Sequence, residues 1–323
     1  MRLAQGGAPK MNAALFSWFE AHRRDLAFRR TRDPYAVLVS EVMLQQTQAT
    51  RVEPAWLAFM ARFDTVDALA SAAPADVIRT WGNLGYNGRA VRLQRAAQTV
   101  VAQHDGAVPP TLLALEALPG IGPYTARAVS AIAFGRPVAA LDTNVGRVIR
   151  RLGGFAPSDP PRVLQRLADE LVDKARPADW THAMMDVGAA LCRPREPRCG
   201  ACPLARHCRT GRTAPADAAS AAAPAHRRRP PGTARRRAVS ARSAPAIPFP
   251  ATRRWLRGRI VQRLRERPGR RWVSFDGPIG VHSADAVSVA IGHLAREGLL
   301  ELDRVGRARL PQAASRQRTA LGG

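Results

Sequence analysis

The sequence predicts an all-α protein with a small C-terminal appendage, and three observations carry that expectation. Apolar residues recur at helical spacing from Met11 to about residue 208, strand-like alternation is scarce over the same stretch, and helix punctuation is frequent. Met11 to His22 carries Leu15, Trp18 and Phe19, and the run from Pro34 to Phe63 repeats apolar positions at the same period. Asp64 and Pro74 open turns, Gly85 and Gly106 break the pattern, and Pro109-Pro110 and Pro160-Pro161 mark loops. The composition then shifts to Ala, Pro and Arg, with triplets at Arg227-Arg228-Arg229 and Arg235-Arg236-Arg237. Such a stretch cannot bury a core and reads as a disordered basic linker over 213–250. Beyond it, Trp255 to Arg265 and Ser283 to Glu297 read as amphipathic helices. Gly298 to Leu302 and Val305 to Leu310 then suit a short hairpin, which suggests a small winged-helix-like DNA-binding unit over 251–311 and a tail over 312–323.

Charge narrows the partner. The chain's 50 Lys and Arg oppose 25 Asp and Glu, a formal net charge of +25. Lys stands only at positions 10 and 174. A GC-rich coding bias exchanges Lys for Arg without altering charge, so it accounts for the Arg and leaves the excess unexplained. A polyanion is the expected partner, nucleic acid ahead of a membrane surface. No stretch approaches the roughly 20 uncharged residues of a membrane span, and the N-terminus lacks the apolar run of a secretory signal. The expected setting is the cytoplasm, associated with the nucleoid, and the expected state a monomer.

The cysteines are four: Cys192, Cys199, Cys202 and Cys208, spaced C-x6-C-x2-C-x5-C. In a reducing compartment cysteines cluster to present thiolates to a soft metal centre. Four thiolates also suit tetrahedral zinc, but zinc sites usually pair two C-x2-C knuckles, and this string has one short gap between two longer ones.

Two carboxylates stand out. Leu118-Pro119-Gly120-Ile121-Gly122-Pro123-Tyr124-Thr125 sets two glycines just before a helical run, a plain turn or a place where helix amides meet a phosphate. It is followed by Leu141-Asp142-Thr143-Asn144-Val145, where Asp142 opens another helix; an ordinary N-cap would read the same way. Upstream, Glu41 is an isolated carboxylate after the apolar run Tyr35 to Val39. If shielded from water it would hold a proton near neutrality, and on a solvated helix face it would not.

Taken in order, these strings resemble the helix-hairpin-helix glycosylases of the endonuclease III superfamily, and Ser40-Glu41-Val42-Met43-Leu44-Gln45-Gln46-Thr47-Gln48 is similar to the MutY-type adenine glycosylases. The likeness covers about residues 11 to 210 and includes Leu84-Gly85-Tyr86 and Ala183 to Ala189. It implies a six-helix domain over 31–136 and an iron–sulfur cluster domain from 1–30 and 137–212, with the four cysteines holding a [4Fe–4S] cluster and Arg193, Arg195, Arg198 and Arg206 set near phosphates. It further implies that Glu41 protonates the departing adenine, that Asp142 stabilises the sugar cation with Asn144 beside it, and that Gln46 and Tyr86 wedge into the duplex. Leu118, Gly120, Ile121 and Gly122 would meet the DNA backbone, and Leu26, Phe28 and Arg29 would line the base pocket. Tyr124 stands where bifunctional relatives carry a Lys, and a Tyr cannot form that Schiff base, so base removal without strand cutting is implied. The chain departs from the family at Ala27-Phe28, where Pro-Trp is usual, at Asn87, where a second Tyr is common, and at Thr143, where Gly is usual.

The expected activity is removal of adenine mispaired with 8-oxoguanine or guanine from double-stranded DNA, by base flipping. Two alternatives stand beside it: a thymine or uracil mismatch glycosylase on the same scaffold, and a DNA-binding protein that keeps the fold without activity. The family commonly ends in a domain of more than a hundred residues that reads 8-oxoguanine; the segment after Pro250 is expected to be too short for it and is rich in Arg instead.

Overall fold

The computed structural model describes residues 7–212, 247–267 and 271–312. Eleven helices fill residues 7–190: α1 (Gly7–His22), α2 (Pro34–Leu44), α3 (Ala49–Arg62), α4 (Val66–Ser71), α5 (Pro74–Trp81), α6 (Gly88–Gln103), α7 (Leu112–Glu116), α8 (Pro123–Ile132), α9 (Thr143–Gly153), α10 (Pro161–Leu171) and α11 (Pro177–Ala190). A short α12 (Arg209–Arg212) closes the cysteine loop. The C-terminal part holds α13 (Arg253–Arg265), α14 (Ala284–Arg296) and the strands β1 (Glu301–Leu302) and β2 (Ala308–Arg309). The expected linker lies outside the described residues up to 246, as does the tail after Gln312.

Caps set many of the boundaries. Asp33 accepts the amide of Ala36 at 2.7 Å with Pro34 at the first helical position, and Thr65, Thr111, Thr252 and Ser283 do the same for α4, α7, α13 and α14. The run expected to be helical from Pro34 to Phe63 is two helices. Its break falls at Gln45–Gln48, where Gln46 adopts φ +54, outside any helix.

Three cores organise the chain. The first gathers α2 to α8 with Leu26 and Phe28, around Val39, Met43, Phe59 and Trp81. The second packs α1 against α9, α10 and α11, around Met11, Leu15, Ile149 and Trp180. The third joins α13, α14 and the β1–β2 hairpin, whose antiparallel register pairs Glu301 with Arg309 and Leu302 with Ala308. This third core also takes in Ala75 and Ile78 from α5 and Val91 from α6, and the Ala75 amide donates to the Pro311 carbonyl at 2.9 Å. The unit expected as a C-terminal appendage is docked on α5 and α6, because those helices carry apolar residues the first core does not cover. Among the described residues no helix is long and apolar enough to cross a membrane.

Candidate active site

Helix α2 is buried along its length from Tyr35 to Met43, packed by α3, α6 and α8. A carboxylate in that stretch is largely withdrawn from water, and Glu41 is 4% exposed. Burial pushes its carboxyl up to about 7, against the opposing pull of the Tyr124 hydroxyl and the Arg29 charge. Tyr124, in the first turn of α8, stands 3.2 Å from Glu41 Oε2. Its own phenol is held well above the usual range, by burial first and then by the adjacent Glu41.

Glu41 opens onto a cleft of about 760 Å³ between the first and second cores. Leu26, Phe28, Arg29, Gln46, Tyr124, Asp142 and Asn144 line the same cleft, so eight of the residues singled out from sequence converge there. Asp142 is indeed an N-cap: Oδ1 accepts the Val145 amide at 2.6 Å and Oδ2 accepts from Asn144 Nδ2 at 3.2 Å. Those bonds fix the carboxylate's direction at the mouth of α9, so the capping and functional readings of this residue are compatible.

Arg29 lines the cleft with its guanidinium already engaged. Nη1 and Nη2 make a fork of 2.8 and 3.0 Å on Asp186 of α11, which Arg24 Nε also reaches at 2.8 Å. Burial works to raise the Asp186 carboxyl, but the Arg29 and Arg24 contacts outweigh it and hold it below the ordinary range. Next to it His182 is pushed down to about 3 by burial and then by Arg29 and Arg32, so the ring is neutral at physiological pH.

Gln46 and Tyr86 are joined by a residue that sequence reading missed. Both sit in the left-handed region, at φ +54 and +47, which costs a non-glycine residue energy unless its surroundings enforce it. Arg89, buried on α6, supplies that enforcement. Its Nη1 donates to the carbonyls of Val42, Met43 and Gln45 at 3.0, 2.7 and 2.6 Å, and its Nη2 to Thr47 Oγ1 and the Gly85 carbonyl at 3.0 and 3.1 Å. The guanidinium also lies 5.6 Å from the Tyr86 ring centroid. Tyr86, however, does not line the Glu41 cleft; it faces a second one on the other side of the loop.

The glycine hairpin turns two of its four residues inward by their side chains. The side chains of Leu118 and Ile121 are 2% and 5% exposed and belong to the first core, and the Ile121 amide is taken by the Leu118 carbonyl at 3.1 Å. Gly120 and Gly122, by contrast, are exposed. Gly120 has φ +81, and a Cβ there would stand 2.8 Å from Arg92 Cβ, so no other residue fits.

The four cysteines line one small cavity between α9, α11 and α12. Arg151 Nη1 approaches Cys192 Sγ at 3.4 Å and the Gly211 amide donates to Cys208 Sγ at 3.3 Å. Burial, then the neighbouring cysteines, pushes Cys202 up to about 12. No three His, Cys, Asp or Glu among the described residues are drawn together as for a single ion.

Residues 39–174 match the family model described as HhH-GPD superfamily base excision DNA repair protein. The chain is 45% identical over 198 residues to an adenine DNA glycosylase of Mycolicibacterium smegmatis, covering 60% of this chain and 67% of that one. It is 41% identical over 210 residues to human adenine DNA glycosylase, covering 61% of this chain and 38% of that one. It therefore spans two-thirds of the first relative's length and well under half of the second's. Among solved structures, a thermostable thymine-DNA glycosylase matches with TM-score 0.60 and 30% identity, over 64% of this chain and 98% of that one.

Proposed function

Since the chain belongs to the HhH-GPD superfamily of base excision DNA repair proteins, we propose that it is a monofunctional adenine DNA glycosylase, acting on adenine mispaired with 8-oxoguanine or guanine in double-stranded DNA. The observation that carries this reading is the pair of carboxylates on one cleft: a buried Glu41 able to keep its proton near neutrality, and an Asp142 fixed by helix capping.

An N-glycosidic bond breaks by leaving its electron pair on the base and positive charge on the sugar. Glu41 gives its proton to the leaving base and becomes a carboxylate, a change the Tyr124 hydroxyl supports. Asp142 holds negative charge toward the sugar cation, which water then captures with loss of a proton, leaving free base and an abasic site. His182, neutral, and Arg29, locked on Asp186, shape the cleft without competing for the proton. The base reaches the cleft only when extruded, and the strained Gln46 and Tyr86 are suited to fill the gap it leaves.

Four thiols around one cavity, spaced C-x6-C-x2-C-x5-C rather than as two C-x2-C knuckles, fit a [4Fe–4S] cluster better than zinc. Cys192, Cys199, Cys202 and Cys208 would hold it, and it would staple α9, α11 and α12 together.

The 30% identity to a thymine-DNA glycosylase, with Tyr124 unable to form a Schiff base, supports one further reading: thymine or uracil opposite guanine. Duplexes carrying adenine opposite 8-oxoguanine, thymine opposite guanine and uracil opposite guanine, incubated with the protein and treated with alkali, separate the two. Breakage confined to the thymine or uracil strand overturns the adenine assignment; no breakage in any duplex overturns both.

A further inference from the structure

We propose that the strand opposite the extruded nucleotide is held in a second cleft, built jointly by the Tyr86 loop and α13, with Arg254 and Arg259 taking its phosphates. The proposal rests on the glycosylase reading above and adds a site that the family motifs do not contain, since half of the cleft comes from the C-terminal unit.

Three features support it. First, the cleft, of about 660 Å³, is lined by Arg51, Arg92, Arg254, Arg257, Arg259 and Arg265. Among its described lining residues the one acid is Glu297, already paired with Arg257 at 2.6 Å. A concave surface with that balance fits a polyanion. Two buried polar atoms on it, Arg265 Nη1 and Asn87 Oδ1, have no hydrogen-bond partner among the described residues.

Second, the cleft abuts the wedge. The Tyr86 ring has two guanidiniums against it, that of buried Arg89 at 5.6 Å from its centroid and that of exposed Arg254 at 4.0 Å. Gln46 lines the Glu41 cleft and Tyr86 lines this one. The two clefts thus flank the wedge pair. If one receives the extruded nucleotide, the other faces the strand left behind.

Third, α13 does not float. Leu256, Ile260 and Leu264 share the third core with Ala75, Ile78 and Val91, which sets the exposed Arg254 and Arg259 in place before DNA arrives.

The test uses the full chain and a duplex whose target adenosine carries a 2′-fluoro sugar resistant to base loss. Hydroxyl-radical footprints are read on each strand, and affinity is measured across salt concentrations. The pair Arg254→Gln and Arg259→Gln should lose protection on the opposite strand while keeping it on the adenine strand, and should flatten the salt slope by about 1.8 units, about 0.9 per phosphate contact. The pair Arg253→Gln and Arg263→Gln removes the same charge from α13 outside the cleft and should change neither. Equal effects of the two pairs, loss confined to the adenine strand, or an unchanged footprint overturns the proposal. Base release by the unaltered protein on a normal duplex is read in parallel. Its absence counts against the glycosylase reading, whereas base release with an unchanged variant footprint sinks the cleft alone.

Discussion

The Tyr124 hydroxyl stands 3.2 Å from Oε2 of Glu41, where the first core meets the cleft. Burial favours the neutral acid and the phenol favours the carboxylate; the balance leaves the proton held at about 7. A group so balanced can give its proton to a base and recover it from water.

Removing the phenol tips that balance. Tyr124→Phe should raise the Glu41 pKa further, moving the descending limb of the single-turnover rate profile upward by about one pH unit, the order expected for one hydrogen bond to a charged group. A limb displaced toward acid would contradict the role given to Tyr124. Tyr124→Lys should instead bring some strand cleavage, visible as a borohydride-trapped covalent complex.

Glu41 also links pH to stability. Its folded pKa lies above the ordinary glutamate value of about 4.5, at about 7, so the folded chain keeps a proton that the unfolded chain has released. The resulting stabilisation is complete below about 4.5 and is lost as pH rises to about 7; beyond that, a buried carboxylate burdens the fold by on the order of 3 kcal/mol. Glu41→Gln should therefore abolish base release, match the parent in urea unfolding at pH 4.5, and be the more stable protein at pH 8. Equal stability at both pH values would mean the carboxyl is solvated.

Arg89→Lys keeps the charge and loses the fork that spans Val42, Met43, Gln45, Thr47 and Gly85. We expect a loss of about 2 to 4 kcal/mol in unfolding free energy, since buried carbonyls are left without donors. Base extrusion, followed by 2-aminopurine fluorescence next to the mismatch, should fall by about tenfold, in proportion to roughly 1.4 kcal/mol of lost wedge positioning. Lower stability with unimpaired extrusion would make Arg89 a core residue and nothing more.

The cysteine site has a visible signature. The purified protein should be yellow-brown with broad visible absorption, and Cys202→Ser should bleach it and loosen the loop carrying Arg195 and Arg198. A colourless protein with one zinc per chain would refute the cluster.

Much of this was legible in the sequence because it is local. The run Tyr35 to Met43 is apolar apart from Ser40 and Glu41, so a buried acid could be read from its neighbours, and the caps at Asp33 and Asp142 follow from residue type and position. What could not be read depends on distance along the chain. Arg29 and Asp186 are 157 positions apart, and nothing beside either one announces the fork. Arg89 looks like any other arginine of a basic chain until Gln45 and Gly85 are brought to it. Leu118 and Ile121 sat in a motif whose glycines face outward, and the alternation that turns these two side chains inward follows from the packing of α8 on α2 and α7.

The sharing of the third core has a consequence for how the protein is made. Ala75, Ile78 and Val91 leave the ribosome long before Leu256 to Leu310, and at ordinary elongation rates the interval is on the order of ten seconds or more. During that time the nascent α5 and α6 present an uncovered apolar strip beside the Tyr86 loop, a surface on which a chaperone or another nascent chain can settle. Cutting the chain near Arg212 would make that interval permanent. The third core thus ties the solubility of the newborn catalytic half to the arrival of its last helices.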